Sequence, residues 1–329
     1  MTIAFETAPQ LDLLKSFELR VEAILKLGIE QFGLPVGIFS AISAENYEIR
    51  QVFHPENVLT AGMNFSLEET FCRHVISAND VIGIHDIGDS DLGPDGAAEK
   101  LGFAAYLGAP VQVDGECVGT LAFASPAPVA AFSTHNTELL RLFADSLGQA
   151  LAHIRDHREL LRLATTDPVT GLYNRVYMEQ LLRRELERSN RYDGPVVIGL
   201  VDFDNLKMLN DNFGYDAGDA ALKLFAKVAS EIMRETDVIA RWGDKEFLVL
   251  MPETGAAGAL NYLQRLTDRV RGADFHAGDS DLRLALSVGL GIAEQGDKLP
   301  DLIGRANVAM HESKQAGQDT IRMSNQDNS

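Results

Sequence analysis

Carboxylates and lysines meet where this chain turns. Asp202 and Asp204 stand at the end of an almost wholly apolar run, Val196 to Phe203. Carboxylates at a strand end can hold Mg2+ beside a nucleoside triphosphate, because the ion is small, takes oxygen ligands and keeps waters and phosphate oxygens around it. Further on, Arg241-Trp242-Gly243-Asp244-Lys245-Glu246-Phe247 lies between Val238-Ile239-Ala240 and Leu248-Val249-Leu250. That pattern is a strand, a tight polar turn and a second strand, a hairpin with charge at its tip.

Positioning these groups requires a buried strand, and Val196 to Phe203 is apolar throughout, as a strand covered on both faces should be. Pro168 and Gly171 break the chain before it, and a helix is predicted over 176–192. A second apolar run, Ser287-Val288-Gly289-Leu290-Gly291-Ile292-Ala293, reads as a further strand.

Several spaced motifs occur in order. They are Asp167-Pro168-Val169-Thr170-Gly171-Leu172-Tyr173-Asn174-Arg175, then Asp202-Phe203-Asp204 with Lys207, Asn210-Asp211, Gly214-Tyr215 and Gly218-Asp219, and last Ala306-Asn307, Ala309-Met310-His311, Lys314 and Gly317-Gln318. With the hairpin tip, this run resembles the GGDEF family of diguanylate cyclases from 165 to 323. The resemblance implies a domain over 167–323 with a central mixed sheet flanked by helices, a nucleotide-cyclase-like palm. By position it implies Asp202 and Glu246 as metal ligands and Lys207 and Lys314 as phosphate contacts. It places Asn210 and Asp219 on the guanine edge, where an amide and a carboxylate suit the O6 acceptor and the N1–H and N2–H donors. Val169, Leu206, Tyr215 and Gln318 depart from the pattern; Gln318 stands where the family has an Arg, so one phosphate clamp is lost.

The tip departs further. Gly243, Glu246 and Phe247 match the family. Asp244 replaces a second glycine, adding a side chain and a negative charge where the backbone would lie close to a triphosphate. Lys245 replaces an acidic metal ligand and catalytic carboxylate. At ~4 Å and an effective dielectric near ~20, each unit pair is worth about 4 kcal/mol, so exchanging −1 for +1 beside a divalent ion costs more than ~10 kcal/mol before the lysine swings away. Losing several kcal/mol at the transition state removes measurable turnover. The turn Gly243, Asp244, Lys245, Glu246, Phe247 is therefore read as having no intact catalytic set. Lys245 is expected to pair with Asp202 or Asp204, its ammonium replacing the missing metal's charge.

Just upstream, Arg234-Glu235-Thr236-Asp237 is separated from Gly243 by the five residues Val238 to Trp242. Sequence and spacing match the family's inhibitory Arg-x-x-Asp motif, which implies a cyclic di-GMP site at Arg234 and Asp237. The arginine would donate to guanine O6/N7 and the aspartate accept from N1–H/N2–H.

The N-terminal part reads as a helix over 10–32, strands over 36–42 and 47–53, a short helix from Phe71 to Ile76 and a hairpin from Tyr106 to Ala124 around Asp114-Gly115-Glu116. Leu107-Gly108-Ala109-Pro110-Val111, Gly115-Glu116-Cys117-Val118-Gly119-Thr120-Leu121 and the leucine-rich helix after Phe132-Ser133 resemble a GAF domain over 10–152. That family implies an antiparallel sheet with flanking helices, hence an α+β or α/β chain overall. Cys72 and His74 are expected as a core cysteine and a surface histidine. The long helix, 134–166, repeats Leu140, Leu147, Ile154 and Leu161 every seven residues, with Phe143, Ala150, His157 and Ala164 between them. This predicts a parallel coiled-coil linker and a homodimer through 140–164. His153 and His157 are spaced i, i+4 without a third ligand nearby, so no metal site is expected there.

The 329 residues carry 48 acidic against 29 basic side chains, a formal charge of −19, which disfavours nucleic acid or an anionic membrane as partner. Two cysteines make no disulfide framework. No apolar run approaches the ~18 residues of a membrane span, and a cytoplasmic setting with a polar, disordered tail over 324–329 is expected. The combined reading is a cyclic di-GMP signalling protein whose inactive GGDEF domain receives the dinucleotide and answers, with the GAF sensor, to an unknown protein partner. The other readings are a diguanylate cyclase with residual activity and a GTP-binding scaffold, with Mg2+ entering only if GTP binds.

Overall fold

A computed structural model describes residues 8–44, 46–90, 102–278 and 280–324; residues 325–329 of the expected tail lie outside them. The chain divides into two compact units between Glu159 and Leu160.

The first unit comprises α1 (Ala8–Phe32), β1 (Val36–Ser43), β2 (Asn46–Phe53), β3 (Asn64–Ser66), α2 (Cys72–Ala78), β4 (Ile82–Ile84), β5 (Ala105–Val113), β6 (Glu116–Ser125) and most of α3 (Thr134–Thr165). Its sheet runs β3-β2-β1-β6-β5-β4, antiparallel throughout. The β5–β6 connection needs only Asp114 and Gly115, both at positive φ (52° and 84°), the primed turn that matches strand twist.

One sheet face packs Leu107, Leu121 and Phe123 against Val21 and Leu25 of α1 and Leu140, Ala144 and Leu147 of α3. This changes the reading of the seven-residue repeat. Leu140 and Leu147 are fully buried in their own domain, and Ile154 is 7% exposed. The exposed leucines of α3 are Leu142, Leu160 and Leu163, none of them on the seam read from the sequence.

The other face encloses a cavity of ≈ 40 Å3 lined by Ile38, Tyr47, Phe71, Cys72 and Tyr106 among others. Cys72 is buried there, accepting from Thr120 Oγ1 (3.2 Å) and lying 3.3 Å from Tyr106 Oη. Burial pushes its thiol up, so it stays protonated and inert.

The second unit comprises the end of α3, β7 (Tyr173–Asn174), α4 (Arg175–Tyr192), β8 (Val196–Phe203), α5 (Leu206–Phe213), α6 (Tyr215–Ile232), β9 (Val238–Arg241), β10 (Glu246–Pro252), α7 (Ala256–Arg271), β11 (Phe275–Ala277), β12 (Ser280–Leu282), β13 (Leu286–Ile292), α8 (Leu299–Gln315) and β14 (Ile321–Met323). The main sheet runs β14-β13-β8-β10-β9-β7 and is mixed: the inner pairs are antiparallel, and β13–β14 and β7–β9 are parallel.

All eight residues of β8 are buried, the condition its unbroken apolar run predicts. Strand alternation then sorts its side chains. Val197, Val201 and Phe203 join the core with Phe225 of α6 and Leu263 of α7. Val196, Ile198 and Leu200 join the core with Met178 of α4 and Met310 of α8. Asp202 continues this second face, toward α8. The helix lies close because β13 offers glycine: a Cβ on Gly289 would stand 2.2 Å from both Ala306 O and Met310 N. Any side chain there would push α8 off the sheet.

Among the described residues, no helix is long and apolar enough to cross a membrane.

Candidate functional site

Register places three polar side chains in one row. Glu246 of β10 and Ser287 of β13 both lie opposite Asp202. Asp202 is completely buried. Lys245 Nζ stands 3.0 Å from its Oδ1, and Lys314 Nζ, brought in by α8, stands 2.9 Å from its Oδ2. Neither oxygen has a well-aligned hydrogen bond from another group. The Lys245 ammonium also points to Phe203 O at 3.5 Å. Lys245 therefore pairs with Asp202 and not with Asp204. The Asp204 carboxylate is engaged elsewhere, accepting from Ser287 Oγ (2.6 Å) and from the Asp319 backbone N–H (3.0 Å).

The residues do not fit Mg2+. That ion needs a near-octahedral set of oxygens at ~2.0–2.1 Å, whereas each oxygen of Asp202 already faces an ammonium, which brings hydrogens and no lone pair. Among the described residues, no group of three or more His, Cys, Asp or Glu could hold a metal.

The tip is built from backbone. Trp242 N–H and Gly243 N–H both donate to Glu246 O, at 2.7 and 3.1 Å. Arg241 braces the turn from below: it donates to Asp244 O (2.8 Å) and Gly243 O (3.3 Å) and pairs with Asp167 (3.2 Å). This clamp ties the chain just after α3 to the tip. Both residues are present in the motifs, but they lie 74 residues apart and no local pattern couples them. The Asp244 side chain is exposed at the tip. Phe247 sits beneath it, fully buried.

The guanine-edge candidates lie on α5 and α6. Asn210 rests on the bare backbone of Gly218, where a Cβ would come within 1.9 Å of its Oδ1. That oxygen is buried and has no hydrogen-bond partner. Asp219 is half-buried and Lys207 exposed. Gln318 is exposed beyond the end of α8 at φ 63°.

Arg234 and Asp237 form the tight turn between α6 and β9, with Asp237 N–H donating to Arg234 O (3.2 Å). Asp237 is only 4% exposed; Oδ2 accepts a long bond from Arg234 N–H (3.4 Å), and Oδ1 has no partner. Burial pushes this carboxyl above the ordinary aspartate value, against the opposing pull of the Arg234 backbone and charge. Nearby, the buried Tyr262 hydroxyl of α7 also lacks a partner, and burial together with the Asp237 charge pushes it well up. The Arg234 guanidinium is exposed and forms no ion pair among the described residues. A buried acceptor left open costs about 1–3 kcal/mol, and a ligand offering N–H groups would recover it. Tyr262 could not be found from the motif, because α7 reaches the turn only in the folded domain.

Fold and site together define two α+β units, the first on an antiparallel sheet and the second on a mixed sheet that carries the Asp202 row. The chain carries a GAF domain, matched over residues 17–151, followed by a domain of the family described as Diguanylate cyclase, GGDEF domain, matched over 164–320. Diguanylate cyclase DgcP of Pseudomonas aeruginosa is 34% identical over 172 residues, which are 52% of this chain but only 25% of that protein. Diguanylate cyclase DgcP of Escherichia coli is 29% identical over 287 residues, 82% of this chain and 80% of that one. Among solved structures, the coiled coil and GGDEF domain of DgcB from Caulobacter crescentus in complex with c-di-GMP has a TM-score of 0.51 at 24% identity, covering 55% of this chain and 97% of that chain, a likeness of fold. The GGDEF domain and its cyclase relatives connect the chain with cyclic di-GMP signalling.

Proposed function

We propose that this protein is a receptor for cyclic di-GMP: its GGDEF domain takes the dinucleotide at Arg234 and Asp237 and does not synthesise it. The observation that carries this reading is the pair of ammoniums on Asp202, 3.0 and 2.9 Å from its two oxygens. They stand where the reaction needs a divalent ion, while the Arg234–Asp237 turn keeps an open carboxylate oxygen and an uncommitted guanidinium. The GAF domain supplies a second input, and the receptor passes its state to a partner protein. A second copy of the chain would pair through the outer leucines of α3, since Leu140 and Leu147 serve the GAF core.

Incubation with GTP and Mg2+ is expected to yield no cyclic di-GMP by chromatography, while calorimetry detects binding of the dinucleotide. Product from GTP would instead establish the enzyme. The open Asn210 oxygen favours the GTP-binding scaffold as second reading, and a GTP titration in the same calorimeter tests it.

Binding should also depend on pH. Guanine N–H groups need an ionised Asp237, whose pKa burial holds above 3.8 in the free protein. Dinucleotide binding favours the ionised form and lowers that pKa, so affinity is full above the free-state value and falls as pH drops through it. Calorimetry across that range should show the loss in the wild type. An Asp237→Asn variant should bind weakly with a flat profile, and a flat wild-type profile would remove Asp237 from the site.

A further inference from the structure

We propose that the second domain carries a further binding site, in the cavity between α5 and the segment joining β12 to β13: it takes a small molecule with a ring-sized apolar body and one carboxylate, whose charge Arg283 answers. The cavity is separate from the Asp202 row and from the Arg234–Asp237 turn. Phe203, which lines it, is in the core with α6 and α7, whereas its neighbour Asp202 turns to the other sheet face and meets Lys314 of α8. Asn210 rests on Gly218 of α6 and does not line the cavity.

The placement of α5 creates the space. The helix follows β8 after only Asp204 and Asn205, and it buries Leu206 and Leu209, one turn apart, in the core with Phe203 and Leu284. Opposite it, Asp204 N–H donates to Ala285 O (3.1 Å) and fastens the segment after β12 against the end of β8. Between helix and segment a cavity of ≈ 130 Å3 remains, with Phe203, Leu206, Leu209 and Leu284 among its lining. An apolar cavity of ~150 Å3 holds a benzene ring, so this one suits a single ring or a branched chain of similar size. It opens to solvent past Met208 and Phe213, which are 58% and 39% exposed. Apolar side chains left exposed around a concave site mark a surface kept for binding, and a methionine adapts to what enters.

The lining also fixes the sign of the ligand's charge. Arg283 is the one charged residue among the lining residues, and Asn205 and Asn212 add side-chain amides. In a chain with 48 acidic and 29 basic side chains, a cavity lined by an arginine and by no acid favours an anion. Arg283 is exposed and makes no ion pair among the described residues, so its charge is available. A guanidinium fork meets a carboxylate with two parallel hydrogen bonds. The apolar floor requires that the carboxylate be attached to hydrocarbon, since an anion without an apolar body leaves the cavity unfilled. Ring and carboxylate together thus match floor and mouth.

The test is a magnetic-resonance titration of the full chain with methyl-labelled methionine. The chain has eight methionines, so Met208 reports on the cavity while the others serve as references; a Met208→Leu variant identifies its signal. Three probes are used: phenylacetate, its neutral amide phenylacetamide, and acetate. Phenylacetate should move the Met208 signal saturably and leave the references in place. Phenylacetamide should bind about tenfold more weakly, the loss expected when a charged hydrogen-bonded pair becomes a neutral one. Acetate should leave Met208 unmoved. In Arg283→Gln, a surface substitution that keeps the fold, phenylacetate should weaken about tenfold while phenylacetamide keeps its wild-type affinity. Phenylacetate that fails to shift Met208 saturably overturns the site. Equal affinity for acid and amide, or wild-type affinity for phenylacetate in Arg283→Gln, overturns the role of Arg283 and with it the ligand class. A Met208 shift by acetate equal to that by phenylacetate overturns the apolar floor as the source of binding.

Discussion

Arg234→Ala should lower the affinity for cyclic di-GMP by about 10- to 100-fold while leaving the protein's melting temperature unchanged. A charged hydrogen bond contributes about 1.5–3 kcal/mol, which is that range in affinity. The guanidinium fits the role because it is planar and donates in pairs, matching guanine O6 and N7. It is also uncommitted in the folded chain, being exposed and without an ion pair among the described residues. Surface substitutions of that kind shift stability by no more than about 0.5 kcal/mol. Calorimetry with parallel thermal melts separates lost contact from lost fold. Wild-type affinity in Arg234→Ala would end the assignment of the turn, and with it the receptor reading.

Phe247→Ala should have the largest effect on stability, about 3–5 kcal/mol. The side chain is fully buried. Its ring centroid lies 4.2 Å from that of Phe225 and 6.0 Å from that of Phe203, and Phe203 and Phe225 are 5.7 Å apart. Three rings thus fill the space between β8, β10 and α6. Each aromatic pair adds about 0.5–1.5 kcal/mol beyond its buried area. At about 2–4 °C per kcal/mol for a domain of this size, the melting transition of the GGDEF domain should fall by roughly 10 °C. Calorimetric melts of Phe247→Ala and Phe247→Leu would show it, with the leucine variant losing less. An unchanged transition in Phe247→Ala would mean that the signature's last residue does not anchor the tip.

Much of the site was legible from local pattern. Asp202 sits at the end of a strand whose apolar run is unbroken, and Gly243 to Phe247 sit between two short β-type runs. A lysine among carboxylates announces an altered charge balance wherever it folds. Arg234 and Asp237 were singled out only by their resemblance to the family's Arg-x-x-Asp motif, and the structure makes them one tight turn. The period of the long helix was ambiguous, because a helix lying on its own sheet and a helix in a coiled coil both repeat their apolar residues near every three and a half positions. The period does not say which surface fills the groove; in this chain Leu140 and Leu147 are filled by α1 and the GAF sheet.

The sequence by itself determined the two domains, the central strand, the hairpin and the presence of a lysine, Lys245, among the carboxylates of its tip. These are local properties of side-chain type and spacing. Only the tertiary structure decided which carboxylate takes the lysine and what completes the charge. Strand alternation turns Asp202 toward α8, the glycines of β13 let that helix lie close, and Lys314 arrives at the second oxygen. Asp204 is held by Ser287 and Asp319. Residues this far apart in the chain acquire a common electrostatic environment only when packing removes the water between them, and that is a property of the assembled core.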